Sequence, residues 1–204
     1  MVYISEKGPR RPPKPTLFCV GKTEQYYFRH LRKVRGYHMD IVPRLFRRMP
    51  VDEMERRVQT LLEDGGQAVC VFDTETSQWT TEERRFLHAF CKHYARQKNV
   101  IICTSRPSID YWFYLHFYDE TPPFTTSREV IDELANLQQL QGYKATDNYL
   151  EDEGWVRNLC ADGRLEAAWR RAAFRRMPRG LPYSNVYRII EVLEKHRLIY
   201  YDRE

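Results

Sequence analysis

The stretch Thr16-Leu17-Phe18-Cys19-Val20-Gly21-Lys22-Thr23-Glu24-Gln25-Tyr26-Tyr27-Phe28 decides the fold. Residues 17–20 form a short, wholly apolar run, the pattern of a strand buried on both faces. Gly21 then allows a tight turn, and Tyr27, Leu31 and Val34 recur at helical spacing, so a helix is expected over 23–34. A buried strand, a glycine turn and a helix together open a parallel α/β unit.

The alternation continues downstream. Met39, Ile41 and Leu45 give a strand-like pattern within 38–46. An amphipathic helix is expected over 51–62, with Met54, Val58, Leu61 and Leu62 on one face and Gly65-Gly66 ending it. Residues 68–72 are a second wholly apolar run. A helix over 81–97 follows, with Thr81 as its N-cap and Phe86, Phe90 and Tyr94 along its apolar face. Residues 100–103 are a third apolar run. These segments imply an α/β, Rossmann-like fold with a mostly parallel sheet flanked by helices. In such sheets the active crevice lies at the carboxyl ends of the strands. Val20, Asp73 and the segment after Cys103 fall there.

After Arg106 the chain turns helical. The aromatic-rich segment 109–117 reads as a helix packed under the site. Trp112, Tyr111 and Tyr114 fit a packed core at least as well as a base-stacking platform. Further helices are expected over 126–141, 147–158 and 165–177. Gly180-Leu181-Pro182 interrupts, and Ser184 reads as the cap of a last helix whose apolar face is Val186, Ile189, Ile190 and Leu193. The run Leu198-Ile199-Tyr200-Tyr201 reads as a closing strand or an interface. The expected organisation is a basic, proline-rich arm over 1–15, an α/β domain over 16–122 and a mainly helical C-terminal extension over 123–204 packed on it.

Composition narrows the class. The chain has 204 residues, 42% hydrophobic and 30% charged, with a net charge of +5. No apolar run approaches the roughly 20 residues of a membrane span, and residues 1–15 lack the apolar stretch of a secretory signal. A cytoplasmic location with no membrane partner is expected. The five cysteines are Cys19, Cys70, Cys91, Cys103 and Cys160. Their number is odd and no CxxC pair occurs, so reduced, buried thiols are expected rather than disulfides or a zinc site. Arginines cluster at Arg29, Arg32 and Arg35, at Arg44, Arg47 and Arg48, and at Arg170, Arg171, Arg175, Arg176 and Arg179. Such clusters either neutralise nucleic-acid phosphates or form solvated helix faces. Lys22, Arg106, Arg170, Arg171 and Arg175 are the candidate nucleic-acid contacts.

Asp73 and Glu75 stand one residue apart at the end of a buried strand. Phosphoryl transfer with a divalent cation needs such hard oxygen ligands, though Asp also caps turns after strands. Asp110 follows Pro107-Ser108 and falls in the first turn of a helix that Ser108 is placed to cap. His116, among Leu115 and Phe117, reads as a hydrogen-bonded core residue before it reads as a catalyst. Gly21-Lys22-Thr23 lacks the spacing of a phosphate loop, which excludes nucleotide binding of that type. Lys22 can still meet a phosphate at the helix N-terminus. Glu24 suits the positive end of the same helix.

At these residues the chain resembles the RloB family, a Toprim-like group of bacterial defence loci. The family's first motif, about CEGKTExxYF, resembles Cys19-Val20-Gly21-Lys22-Thr23-Glu24-Gln25-Tyr26-Tyr27-Phe28. Its DxD motif resembles Asp73-Thr74-Glu75, and its third, SxPSxExWxxLHF, resembles the segment from Ser105 to Phe117. The resemblance implies a Toprim-like fold and a nuclease that uses Mg2+ or Mn2+ on nucleic acid, DNA or RNA. It also implies anti-phage defence and an ATPase partner protein; a homo-oligomer is a separate expectation, with the run 198–201 as its interface if that run is not a closing strand. Asp73 and Glu75 would be the metal ligands, with Asp110 at the third acidic position. The family's leading glutamate falls on Val20, which neither ligates a metal nor moves a proton. Glu24 stands close enough in sequence to replace it, giving Asp73, Glu75, Asp110 and Glu24 as the candidate catalytic set. The alternative is a nucleic-acid- or partner-binding module, or a structural subunit, whose site Val20 has closed.

Overall fold

The computed structural model describes residues 14–44, 46–74, 79–120, 122–174 and 180–197. The expected α/β architecture is present. Strands β1 (Thr16–Cys19), β2 (Asp40–Val42), β3 (Ala68–Asp73) and β4 (Val100–Arg106) alternate with helices α1 (Lys22–Arg35), α2 (Val51–Glu63) and α3 (Thr81–Tyr94). Then come α4 (Asp110–Tyr114), α5 (Ser127–Ala135), α6 (Asp147–Leu150), α7 (Gly154–Cys160), α8 (Arg164–Phe174), strand β5 (Tyr183–Ser184) and α9 (Tyr187–Arg197). The sheet order is β2-β1-β3-β4-β5, with β1 to β4 parallel and β5 antiparallel on the edge of β4. The chain leaves β1 toward one edge of the sheet and returns to build β3 on the other side. The carboxyl ends of β1 and β3 therefore flank a topological switch point, where open α/β sheets bind ligands.

Strand parity sorts the core into two layers. Leu17, Cys19, Val69 and Val71 face one way and pack with α1, α4, α5, α7, α8 and α9. Phe18, Cys70, Phe72 and Val20 face the other way and pack with Met54 and Val58 of α2 and Leu87, Phe90 and Tyr94 of α3. This two-sided burial is why the strands read as continuous apolar runs rather than alternating ones. Tyr111 and Trp112 are fully buried and Tyr114 nearly so, and the Trp112 indole donates to Tyr27 Oη at 2.8 Å. The aromatic segment is thus core, not a stacking platform. His116 is buried as well, and its Nδ1 lies 2.7 Å from the Leu159 carbonyl. Burial pushes its pKa down to about 3, so it stays neutral and structural. The five cysteines are free thiols. No helix among the described residues is long and apolar enough to cross a membrane.

Several local expectations are corrected. Thr80, not Thr81, caps α3, in a capping box with Glu83. Phe86 is exposed and Leu87 takes its place in the core. The helix also ends at Tyr94, and the helical register decides which of two adjacent apolar residues faces inward. The helix expected over 126–141 ends at Ala135, capped by Thr126, and the one over 147–158 divides into α6 and α7. Ser184 is no helix cap. It lies in β5, where its hydroxyl meets that of Ser105 at 2.9 Å. Asn185 completes the edge, with its side-chain oxygen accepting from Thr104 N–H at 2.6 Å. Residues 1–13 of the basic arm and the run 198–201 lie outside the described residues.

Candidate active site

The cleft at the switch point has a volume of about 480 Å³ and is lined by the turn after β1, the end of β3 and the start of α4. Glu24, Asp73 and Asp110 all open on it; Glu24 and Asp110 are buried, and Asp73 is half-buried with its Oδ1 fully covered. Each arrives by a different route. Gly21 gives α1 no side-chain cap, and the Glu24 carboxylate folds back to accept from the backbone N–H groups of Gly21 and of Glu24 itself. A Cβ at position 21 would stand 2.2 Å from Glu24 Oε2, so glycine is required by the carboxylate it faces. Gly21→Ala is expected to expel the Glu24 side chain and lower stability by about 1–3 kcal/mol. Chemical denaturation measures the loss, and unchanged stability would show that the carboxylate has another resting place.

Asp73 ends β3 on the parity of Val69 and Val71, the α1 side of the sheet. The Ile109 backbone N–H supports its carboxylate, but Oδ1 is buried and accepts from no described residue. Asp110 is the first residue of α4, and both its oxygens are held. The Ser108 hydroxyl donates to one at 2.6 Å and the Tyr143 hydroxyl to the other at 2.6 Å. Ser108 is therefore not the helix cap; Ile109 occupies that place and Ser108 orients Asp110 instead.

The electrostatics follow from burial without compensation. Burial pushes Glu24 up to about 7, against the two backbone N–H bonds and with help from the Asp110 charge. Burial also raises Asp73 well above the usual carboxylate range, and Glu24 and Asp110 raise it further. Asp110 is raised by burial, with the Ser108 and Tyr143 hydroxyls opposing. None of the three is paired with a Lys or Arg among the described residues. The nearby cations are engaged elsewhere: Lys22 with Asp147 at 2.7 Å and Arg48 with Glu83 at 2.6 Å. The cleft thus carries three carboxylates short of positive charge.

A family model described as RloB-like protein matches residues 16–193, most of the chain. The chain belongs to the RloB-like family. No curated protein and no solved structure matches it. The RloB-like match covers every carboxylate of the cleft and the helices that wall it.

The donor chemistry of this RloB-like cleft fits a hard divalent cation: carboxylate oxygens, one of them a buried acceptor with nothing to accept. Among the described residues no three of His, Cys, Asp or Glu stand close enough to form a metal cage.

Other candidate residues have different places. Lys22 lines the cleft, 46% exposed at its rim. Arg106 ends β4 opposite Tyr183 of β5 and is not among the residues lining the cleft. Arg170 and Arg171 line a separate cavity with Asp119 and Phe174, where Arg171 bonds Asp119 and the Leu115 carbonyl, the latter at 2.8 Å. Glu75 and Arg175 lie outside the described residues. Arg48 stood out in the sequence only as one of a cluster. Trp79 and Tyr143 gave no signal, because their contribution is through-space contact with segments far away in the chain.

Proposed function

We propose that the chain is a metal-dependent phosphodiesterase acting on DNA or RNA. We further propose a role in bacterial anti-phage defence alongside an ATPase partner. The observation that carries the reading is the set of three carboxylates in one cleft, two of them buried and the third half-buried, with no Lys or Arg paired to them among the described residues. Asp73, with Glu75 two residues on, would hold Mg2+ or Mn2+. A bound divalent cation supplies charge neutralisation at the phosphate and a water of lowered pKa. Glu24, pushed up to about 7, is poised to accept or return a proton near neutral pH. Asp110, fixed by two hydroxyls, holds its carboxylate in one orientation beside it. Lys22 at the rim draws in the phosphate backbone.

One observation favours a second reading, in which the chain binds nucleic acid or a partner without cleaving. Val20 is 4% exposed, packed in the α2/α3 layer and not on the parity of Asp73. The deciding assay gives the purified chain Mg2+ or Mn2+ with single-stranded DNA, duplex DNA and transfer RNA, with Asp73→Ala and Val20→Glu in parallel. Cleavage by the wild type that disappears in Asp73→Ala is the expected result. A silent wild type beside an active Val20→Glu variant would establish the binding module instead.

A further inference from the structure

The cleft has a second half that the carboxylates do not use. Trp79 lines it, is 5% exposed, and its indole Nε1–H is buried without an acceptor among the described residues. Buried donors are seldom left unmet, so this one stands ready for an acceptor that a ligand in the cleft can supply. The Arg48 guanidinium lies 5.1 Å over the Trp79 ring and also lines the cleft. Glu83, locked in the capping box of α3, takes one bond from Arg48. That leaves other N–H donors of a five-donor group free for a ligand, on a side chain already held in place. Lys22 and Thr23, in the first turn of the 14-residue helix α1, also line the cleft, and the Lys22 ammonium gives one of its three donors to Asp147 at 2.7 Å. Val20 lies in the same apolar layer as Trp79, so no acid from β1 competes for these donors.

We propose that Arg48, the Trp79 indole N–H and Lys22 form a phosphate-binding subsite beside the carboxylates. The proposal rests on the reading of the cleft as a phosphoryl-transfer site and adds where the phosphate sits. A phosphate suits these donors because its oxygens accept from several N–H groups at once and pair with a guanidinium through two parallel bonds. The group is either the terminal phosphate of a nucleic-acid strand or an internal phosphodiester.

The test uses the full, isotope-labelled chain titrated with inorganic phosphate while its indole N–H resonances are followed by NMR. Trp79→Phe identifies the Trp79 signal. That signal is expected to move with saturation, whereas the Trp112 and Trp155 indoles, bonded to Tyr27 and to the Leu150 carbonyl, stay in place. Arg48→Gln is expected to weaken the phosphate affinity about tenfold, the weight of a charge-assisted hydrogen bond. A Trp79 signal that stays still, or that moves equally with chloride at matched ionic strength, overturns the proposal. Oligonucleotides with a terminal phosphate or a terminal hydroxyl then separate the two sources. Tighter binding of the phosphorylated strand assigns a terminal group. Equal binding that Arg48→Gln weakens for both assigns an internal phosphodiester, and equal binding indifferent to Arg48→Gln counts against the subsite. Cleavage without a shift at Trp79 would remove the subsite and leave the nuclease; a shift without cleavage would do the reverse.

Discussion

Asp73→Ala is expected to reduce metal-dependent cleavage by about 10³-fold or more, since a divalent cation stabilises several kcal/mol of transition-state charge. Asp73 has this weight because of its place. It ends the central strand β3 at the switch point, and its Oδ1 is a buried acceptor with no donor among the described residues. Two other carboxylates stand near enough to raise its pKa. A group so costly to bury is unexplained by packing, since an apolar residue would fill the position at lower cost. Asp73→Asn gives the sharper comparison, because it keeps the shape and removes the charge. Both variants should lose magnesium binding by calorimetry while circular dichroism stays native. A variant that keeps more than a tenth of the wild-type rate would take Asp73 out of the metal site.

Glu24→Gln is expected to stabilise the metal-free protein around pH 8 by up to about 3 kcal/mol, several degrees in Tm for a chain of this size. The sign follows from the raised pKa. In the unfolded chain Glu24 ionises near its ordinary 4.5, and in the folded protein near 7. The folded state binds this proton more tightly, so that contribution is complete below about 4.5 and is lost as the pH rises through about 7. Glutamine keeps an oxygen for the Gly21 and Glu24 backbone N–H groups and has no proton to lose. The gap between wild type and variant should therefore open across that window and close at its acid end. Adding Mg2+ or Mn2+ should narrow it at high pH, because a bound cation compensates the same charge. The variant should also lose cleavage by about 10²–10⁴-fold. Thermal melts at a series of pH values decide the matter, and a gap independent of pH would mean that Glu24 is not held as described.

The two predictions describe one trade-off. The cleft carries charge that the fold tolerates rather than welcomes, and such sites are commonly where stability is given up for chemistry.

Much of this was legible in the chain itself. The apolar runs at 17–20, 68–72 and 100–103 could be nothing but doubly covered strands, and Asp73 stands visibly at the end of one. Glu24 was harder. Its position near a helix N-terminus gives it an ordinary electrostatic role, and only the fold shows its carboxylate turned back over Gly21 into a shared cleft. Phe86 and Leu87 are equally apolar neighbours, and the exact helical phase that separates them depends on where Thr80 starts the helix. Ser184 and Ser108 carry the same cap-like signal as any serine before a helix. Both were drawn away by partners distant or unforeseen: Ser184 by the open edge of β4, Ser108 by the carboxylate of Asp110.

The sequence by itself determined the α/β class, the strands and the acids at their ends, because buried strands and helical faces write their periods locally. The tertiary structure alone decided three things. It set Val20 on the layer of α2 and α3 while Asp73 took the opposite parity. It brought Tyr143 to Asp110 and Arg48 over Trp79. It brought Glu24, Asp73 and Asp110 into one cleft, where burial and mutual charge raise their pKa values. Burial and through-space charge depend on which distant segments close over a residue, and no local pattern in the chain records that.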